Sequence, residues 1–262
     1  MDFYFKLPGF SLARTLFCGQ AFRWKQLDDV TFFGIVDGKA LKVRQESKGI
    51  TLTPAEDRDI SFWEYYFDIH TDYDELIKQF SQNEILRKAC EYASGIRVLR
   101  QPPFETLISF IISQNNNIKR ISGIIERLCE NFGNKIERGY TFPSADVLAK
   151  ISEDGLSPLR AGFRARYIID AAKKVADGEV NLDRLFNFDA DIIKKELIKI
   201  TGVGDKVADC VLLFAYGKTE AVPKDVWIKR ALARFFPDGL PECVGEYGGI
   251  AQQFLFEYVR NI

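Results

Sequence analysis

Leu197-Ile-Lys-Ile-Thr-Gly202-Val-Gly204-Asp-Lys206-Val-Ala-Asp-Cys210 is the stretch on which the reading of this chain turns. One helical pattern ends near Ile200, two glycines one residue apart make a tight turn, and a second helical pattern opens at about Asp205. The result is a helix-hairpin-helix over about 192–216. A turn of this kind leaves backbone N–H groups unpaired at a helix start, where a phosphate can sit. Gly202 and Gly204 are therefore candidates for phosphate binding. Gly202-x-Gly204 also opens a dinucleotide fingerprint, but a helix rather than a strand precedes it and Val207 stands where the third glycine belongs. An ordinary helix-turn-helix corner with a C-cap glycine would read the same way.

Lys206 falls in the first turn of the second helix, where the positive end of the helix dipole disfavours a cation and favours a free amine that can act as a nucleophile. A lysine here is as readily a solvated surface residue. Cys210, four residues on, shares its face and would otherwise be a small core residue. Further along, Ala221-Val-Pro-Lys-Asp225-Val-Trp227-Ile-Lys-Arg230 places Asp225 where it can cap the next helix. A carboxylate there could also stabilise positive charge developing on a sugar.

Working outward, the first ninety or so residues read as strands. Thr31–Val36 and Ala40–Arg44 flank a hairpin turn at Asp37-Gly38, and 50–53 is a third β-like run ending at Pro54. Residues 60–80 read as one aromatic-rich helix. After Pro102-Pro103 the spacing turns helical. Leu107, Phe110 and Ile111 repeat at core-facing positions, as do Ile121, Ile124, Ile125 and Leu128. Further helices are expected at 144–151, 165–176, 191–200, 206–216, 226–235 and 249–260. The fold class is α+β: an N-terminal antiparallel β domain with a helix over 1–98 and an all-helical domain over 99–262.

Composition excludes several classes. No apolar run is long enough to span a membrane, and Met1–Phe10 lacks the pattern of a secretory signal, which points to an intracellular protein. Five cysteines far apart support neither a disulfide framework nor a zinc or iron–sulfur site. Asp68, His70 and Asp72 alternate like metal ligands but read as a solvated loop, so no metal is expected. Net charge is −1, with no global sign of nucleic-acid binding. Locally, Arg160–Lys174 holds five basic residues and one acid, and Lys218–Arg234 holds five basic residues and two acids. Either patch alone would pass for a solvated helix face; they gain meaning from the hairpin between them.

Together these motifs resemble the helix-hairpin-helix DNA glycosylases, and within them the 8-oxoguanine DNA glycosylase family. The resemblance spans nearly the whole chain, in order: Cys18-Gly19-Gln20-Ala-Phe22-Arg23-Trp24, Arg100-Gln-Pro-Pro-Phe-Glu105, Ser113-Gln-Asn115-Asn-Asn117-Ile-Lys-Arg120, Gly162-Phe163-Arg164-Ala-Arg166-Tyr167, the hairpin with Val222-Pro-Lys-Asp225-Val, and Ala251-Gln252-Gln-Phe-Leu-Phe256. It implies a bifunctional base-excision enzyme that removes 8-oxoguanine opposite cytosine through a lysine Schiff base and then cuts the abasic strand by β-elimination. By this likeness Lys206 is the nucleophile and Asp225 the essential carboxylate. Gly19 offers a main-chain carbonyl to the base, Cys210 and Phe256 sandwich it, and Gln252 bonds its Watson–Crick edge. Asn115, Arg120 and Arg164 hold the widowed cytosine. Read alone, Phe256 would be core, 115–117 a helix cap, and both arginines solvated. The likeness implies no cofactor and a monomer acting on double-stranded DNA in a bacterial cytoplasm. Trp227 and Phe163 depart from it, standing where histidine and tyrosine are usual. A monofunctional glycosylase for alkylated bases would keep Asp225 but lack Lys206, and a non-catalytic DNA-binding module would need neither.

Overall fold

The computed structural model describes residues 1–261. It opens with β1 (Phe3–Lys6) and α1 (Leu12–Phe17), followed by β2 (Lys25–Gln26), β3 (Thr31–Val36), β4 (Lys39–Glu46) and β5 (Gly49–Thr53). These strands form one antiparallel sheet in the order β1-β5-β4-β3-β2. The β3–β4 register runs from Thr31 opposite Arg44 to Val36 opposite Lys39, and Asp37 and Gly38 turn the hairpin at φ of 48° and 73°. These are the positive angles that a tight two-residue turn requires.

Four helices lie among the first ninety-odd residues, where strands and one helix over 60–80 were expected: α1, α2 (Ile60–Tyr66), α3 (Tyr73–Phe80) and α4 (Glu84–Tyr92). The single helix expected over 60–80 is two. Asp68 takes φ +51°, and Asp72 restarts the chain by accepting from the Glu75 N–H at 3.0 Å. An aromatic run across the break hides it from periodicity; the cap at Asp72 is the signal that marks it. In the loop of Asp68, His70 and Asp72, the last two are exposed as expected, but Asp68 is not. Asp68 is buried, accepts from Thr71 Oγ1 at 2.8 Å and the Tyr73 hydroxyl at 2.9 Å, and faces Arg100 at 3.4 Å.

The rest of the chain is helical apart from a small β6 (Lys135–Ile136) and β7 (Gly139–Tyr140) ribbon. In order come α5 (Pro103–Ser113), α6 (Ile118–Phe132), α7 (Ala145–Ala149), α8 (Arg164–Ala176), α9 (Leu182–Leu185), α10 (Ala190–Ile198), α11 (Asp205–Phe214), α12 (Val226–Phe235) and α13 (Gly248–Val259). Every residue from Thr106 to Ile112 is buried, so α5 is covered on all sides. It packs against α6, α8 and α11, with Phe110 and Phe214 stacked at 5.3 Å. That packing fixes α11, the second helix of the hairpin, against the centre of the domain.

Two apolar clusters organise the molecule. One joins the sheet to α1 and α2 and includes Leu99. The other gathers the remaining helices, α3 and α4 among them, through Tyr73, Leu76, Phe80, Leu86 and Ala89. The clusters thus part near residue 70, ahead of the 98/99 division drawn from sequence. Cys18 crosses the seam, belonging by chain to the sheet side and by packing to the helical cluster. No helix among the described residues is long and apolar enough to cross a membrane.

Candidate active site

Three helix ends and one turn converge. Gly204 is the N-cap of α11, which puts Lys206 in its first turn, half-buried, and Cys210 one turn further in, 2% exposed. Lys206 Nζ donates to Ser113 Oγ at 3.1 Å, and that hydroxyl donates to the Phe110 carbonyl at 2.8 Å. The ammonium lies 5.0 Å from the centre of the Phe110 ring, a favourable distance for a cation over an aromatic face. Asp225 caps α12 through Oδ1, which accepts from the Ile228 N–H at 2.8 Å. The capping role read from the sequence is thus present.

Lys206, Cys210, Asp225, Gly19, Gln252 and Phe256 line one cleft of about 60 Å³, together with Phe110, Phe214 and Gln253. Burial pushes the Cys210 thiol up to about 11 against the pull of nearby Lys206. It is a neutral apolar wall at physiological pH. Gln252 is 4% exposed, and its Oε1 is a buried oxygen with no hydrogen-bond partner. A buried acceptor left unpaired costs about 1–3 kcal/mol. The residue itself lines the cleft. Gly19 takes φ +86°, and a side chain there would meet the Phe256 ring and Ile118.

Comparison with known proteins places this geometry. Residues 4–107 match the N-terminal domain of 8-oxoguanine DNA glycosylase, and residues 108–239 match the helix-hairpin-helix superfamily of base-excision DNA repair proteins. A probable N-glycosylase/DNA lyase of Methanothermobacter thermautotrophicus is 32% identical over 76% of this chain and 74% of its own. The N-glycosylase/DNA lyase of Saccharomyces cerevisiae is 30% identical over 85% of this chain and 67% of its own. An 8-oxoguanine glycosylase/lyase of Clostridium acetobutylicum, solved with double-stranded DNA carrying cytosine opposite 8-oxoguanine, superimposes with a TM-score of 0.92 at 35% identity, covering 100% of this chain and 98% of that one. The chain belongs to the 8-oxoguanine DNA glycosylase family.

The remaining candidate residues read from the sequence are placed unevenly. Gly202 holds φ +83°, and any side chain there would collide with the Tyr167 ring. Gly204 has open space where a side chain would stand, so a ligand can approach its backbone. Asn115 (φ +46°) and Arg120 are exposed on either side of the α6 start, which Asn117 caps through the Arg120 N–H at 3.0 Å. Arg164, expected to be solvated when read alone, is 3% exposed. Its guanidinium donates twice to the Gln114 carbonyl, to the Asn115 carbonyl at 2.9 Å and to the Ala161 carbonyl at 3.1 Å. Those bonds take four of its five N–H groups. It braces the 114–117 loop and keeps one donor to spare.

The basic patch over 160–174 shrinks for the same reason. Arg164 is spent internally, and Lys174 bonds Asp170 at 3.1 Å and the Lys199 carbonyl at 2.6 Å. Arg160, Arg166 and Lys173 remain exposed. In the second patch Lys224, Lys229, Arg230 and Arg234 are all exposed. Phe163 and Trp227, the two departures from the family pattern, are 47% and 43% exposed. Sequence reasoning missed Ser113, which holds the Lys206 amine, and Gln253. Ser113 stood inside a quoted motif, but nothing in its spacing pointed to a lysine 93 residues away.

Proposed function

We propose that this glycosylase removes 8-oxoguanine from double-stranded DNA where it lies opposite cytosine, then nicks the strand, with Lys206 as the nucleophile. The carrying observation is Gln252, which lines the same cleft as Lys206 and Asp225 and holds a buried Oε1 with no partner in the free protein. The Watson–Crick edge of a guanine-type base presents two N–H donors, N1–H and the N2 amine, which is what a buried acceptor lacks; adenine presents only its N6 amine, beside a bare N1. An enzyme that works on a base must first swing it out of the duplex and stack it between apolar walls. Cys210 and Phe256 supply such walls. The Gly19 carbonyl would accept from N7–H of 8-oxoguanine and repel the bare N7 of guanine.

The amine of Lys206 attacks C1′ as the glycosidic bond breaks, and the base leaves with the bonding electrons and takes up a proton. The Asp225 carboxylate offsets the positive charge that grows on the sugar. The sugar ring then opens, leaving an imine between C1′ and Nζ. Loss of a proton from C2′ expels the 3′ phosphate. The hairpin backbone at Gly202 and Gly204 grips the DNA phosphates. An enzyme acting on chromosomal DNA works inside the cell.

Opposite the lesion, Arg120 donates to the cytosine acceptors, Asn115 accepts from its amine, and Arg164 adds its one spare donor while bracing the loop. Each charge-assisted bond lost is worth about 1.5–3 kcal/mol, so a preference for cytosine over adenine of about a hundredfold is expected. Single-turnover excision opposite each of the four bases tests this. Equal rates opposite cytosine and adenine would remove Asn115, Arg120 and Arg164 from that role.

A further inference from the structure

The turn that carries Gly19 is gripped from both sides by glutamines that the chemistry above does not use. Gln253 follows Gln252 on α13 and is 3% exposed. Its Nε2 donates to the Cys18 carbonyl at 3.2 Å and lies 3.1 Å from Cys18 Sγ. Gln20, 1% exposed, donates to the Thr15 and Arg97 carbonyls at 2.8 Å each and accepts from the Leu99 N–H at 2.8 Å. Gln101 Nε2 donates to the Gln20 carbonyl at 2.7 Å. The carbonyls on either side of Gly19 therefore each have a donor. Among the described residues, none reaches the Gly19 carbonyl itself. The Cys18 thiol spends its proton on the Thr15 carbonyl at 3.3 Å, and burial pushes it up to about 12, so its sulfur stays a neutral acceptor.

We infer that Gln253 is a positioning residue for base selection: by clamping the Cys18 peptide to α13, it fixes the Gly19 carbonyl as the acceptor that reads N7 of the extruded base. The inference rests on the proposed recognition of 8-oxoguanine by that carbonyl. Its physical basis is rigidity. An acceptor discriminates between N7–H and a bare N7 only if it cannot swing away from the repulsion. Gln252 and Gln253 are neighbours on one helix, so α13 holds in one frame both the acceptor for the Watson–Crick edge and the clamp on the acceptor for N7. The helical register explains how adjacent residues do both: 252 lines the cleft from one side, and 253 reaches back to the turn that forms the other.

The test compares two reactions of the same protein. Excision of 8-oxoguanine needs the Gly19 carbonyl, whereas strand cleavage at a ready-made abasic site presents no base to it. Gln253→Met keeps the shape and removes the donors. The ratio of single-turnover excision to abasic-site cleavage should fall at least tenfold. A general loss of packing would lower both rates and leave their ratio in place. Should Gln253→Met fail to fold, Gln253→Asn, which keeps an amide but falls short of Cys18, serves in its place with the same expectation. A ratio within twofold of wild type overturns the inference. Gly19→Val is run alongside. If it keeps the wild-type ratio, the base does not meet Gly19 and the recognition scheme fails with the inference. If it loses the ratio while the Gln253 variant keeps it, only the role of Gln253 falls.

Discussion

Gln252 separates stability from function at a single side chain. Gln252→Met removes a buried oxygen that has no partner in the free protein, so the fold loses nothing there and gains up to about 1 kcal/mol. The same change removes the acceptor proposed for the base, and excision of 8-oxoguanine should slow by about ten- to a hundredfold. Thermal melting and single-turnover excision check the two halves; a variant that melts lower and excises normally would make Gln252 a structural residue. At this scale the sequence was legible where chemistry is tied to a motif. Lys206, Cys210, Asp225, Gly19, Gln252 and Phe256 were named from it and line one cleft. It was illegible where a side chain's fate depends on a distant carbonyl. Arg164 looks like any solvated arginine until the 114–117 loop folds beneath it.

The hairpin is held from below by α8. Asp170 accepts from the Thr201 N–H at 2.7 Å and pairs with Lys174 at 3.1 Å, and the Tyr167 ring fills the space under Gly202. Partial burial works against the Asp170 charge, but the bonds from Thr201 and Lys174 outweigh it and hold the carboxyl below its ordinary value. A carboxylate depressed in the folded state contributes stability that is fully present above the ordinary aspartate range. That contribution is lost as pH falls through the lower, folded value. Asp170→Asn should therefore cost about 1 kcal/mol at pH 7, the low end for a charged hydrogen bond because the side chain is partly exposed. The difference from wild type should vanish at acidic pH. Denaturant melts of both proteins across pH check this; a gap that widens in acid would contradict it. Periodicity and caps made the helices from α5 onward legible, except the four-residue α9. They failed in part before residue 95, where α1 interrupts the strands, α4 went unread, and the break between α2 and α3 lies inside an aromatic run.

Across the whole molecule the formal charge of −1 conceals an uneven distribution. Arg160, Arg166 and Lys173 on one side of the hairpin, and Lys224, Lys229, Arg230 and Arg234 on the other, are exposed. If about four phosphates are neutralised, the logarithm of DNA affinity should fall with the logarithm of salt at a slope near −3 to −4. Fluorescence anisotropy with a Lys206→Gln protein, which binds without cutting, measures it. A flat salt dependence would contradict phosphate binding by these patches. The α+β class and the hairpin were legible because turn chemistry and helix period are local. The parting of the apolar clusters near residue 70 was not, because α3 and α4 choose their partners by packing against α13 and the region around Val244. The central claim, that Lys206 becomes covalently joined to the sugar, is tested most directly by borohydride trapping on a duplex carrying 8-oxoguanine opposite cytosine. The wild-type protein should be captured as a covalent protein–DNA adduct, and Lys206→Gln should bind the same duplex without being captured; an adduct of undiminished yield with Lys206→Gln would contradict the account.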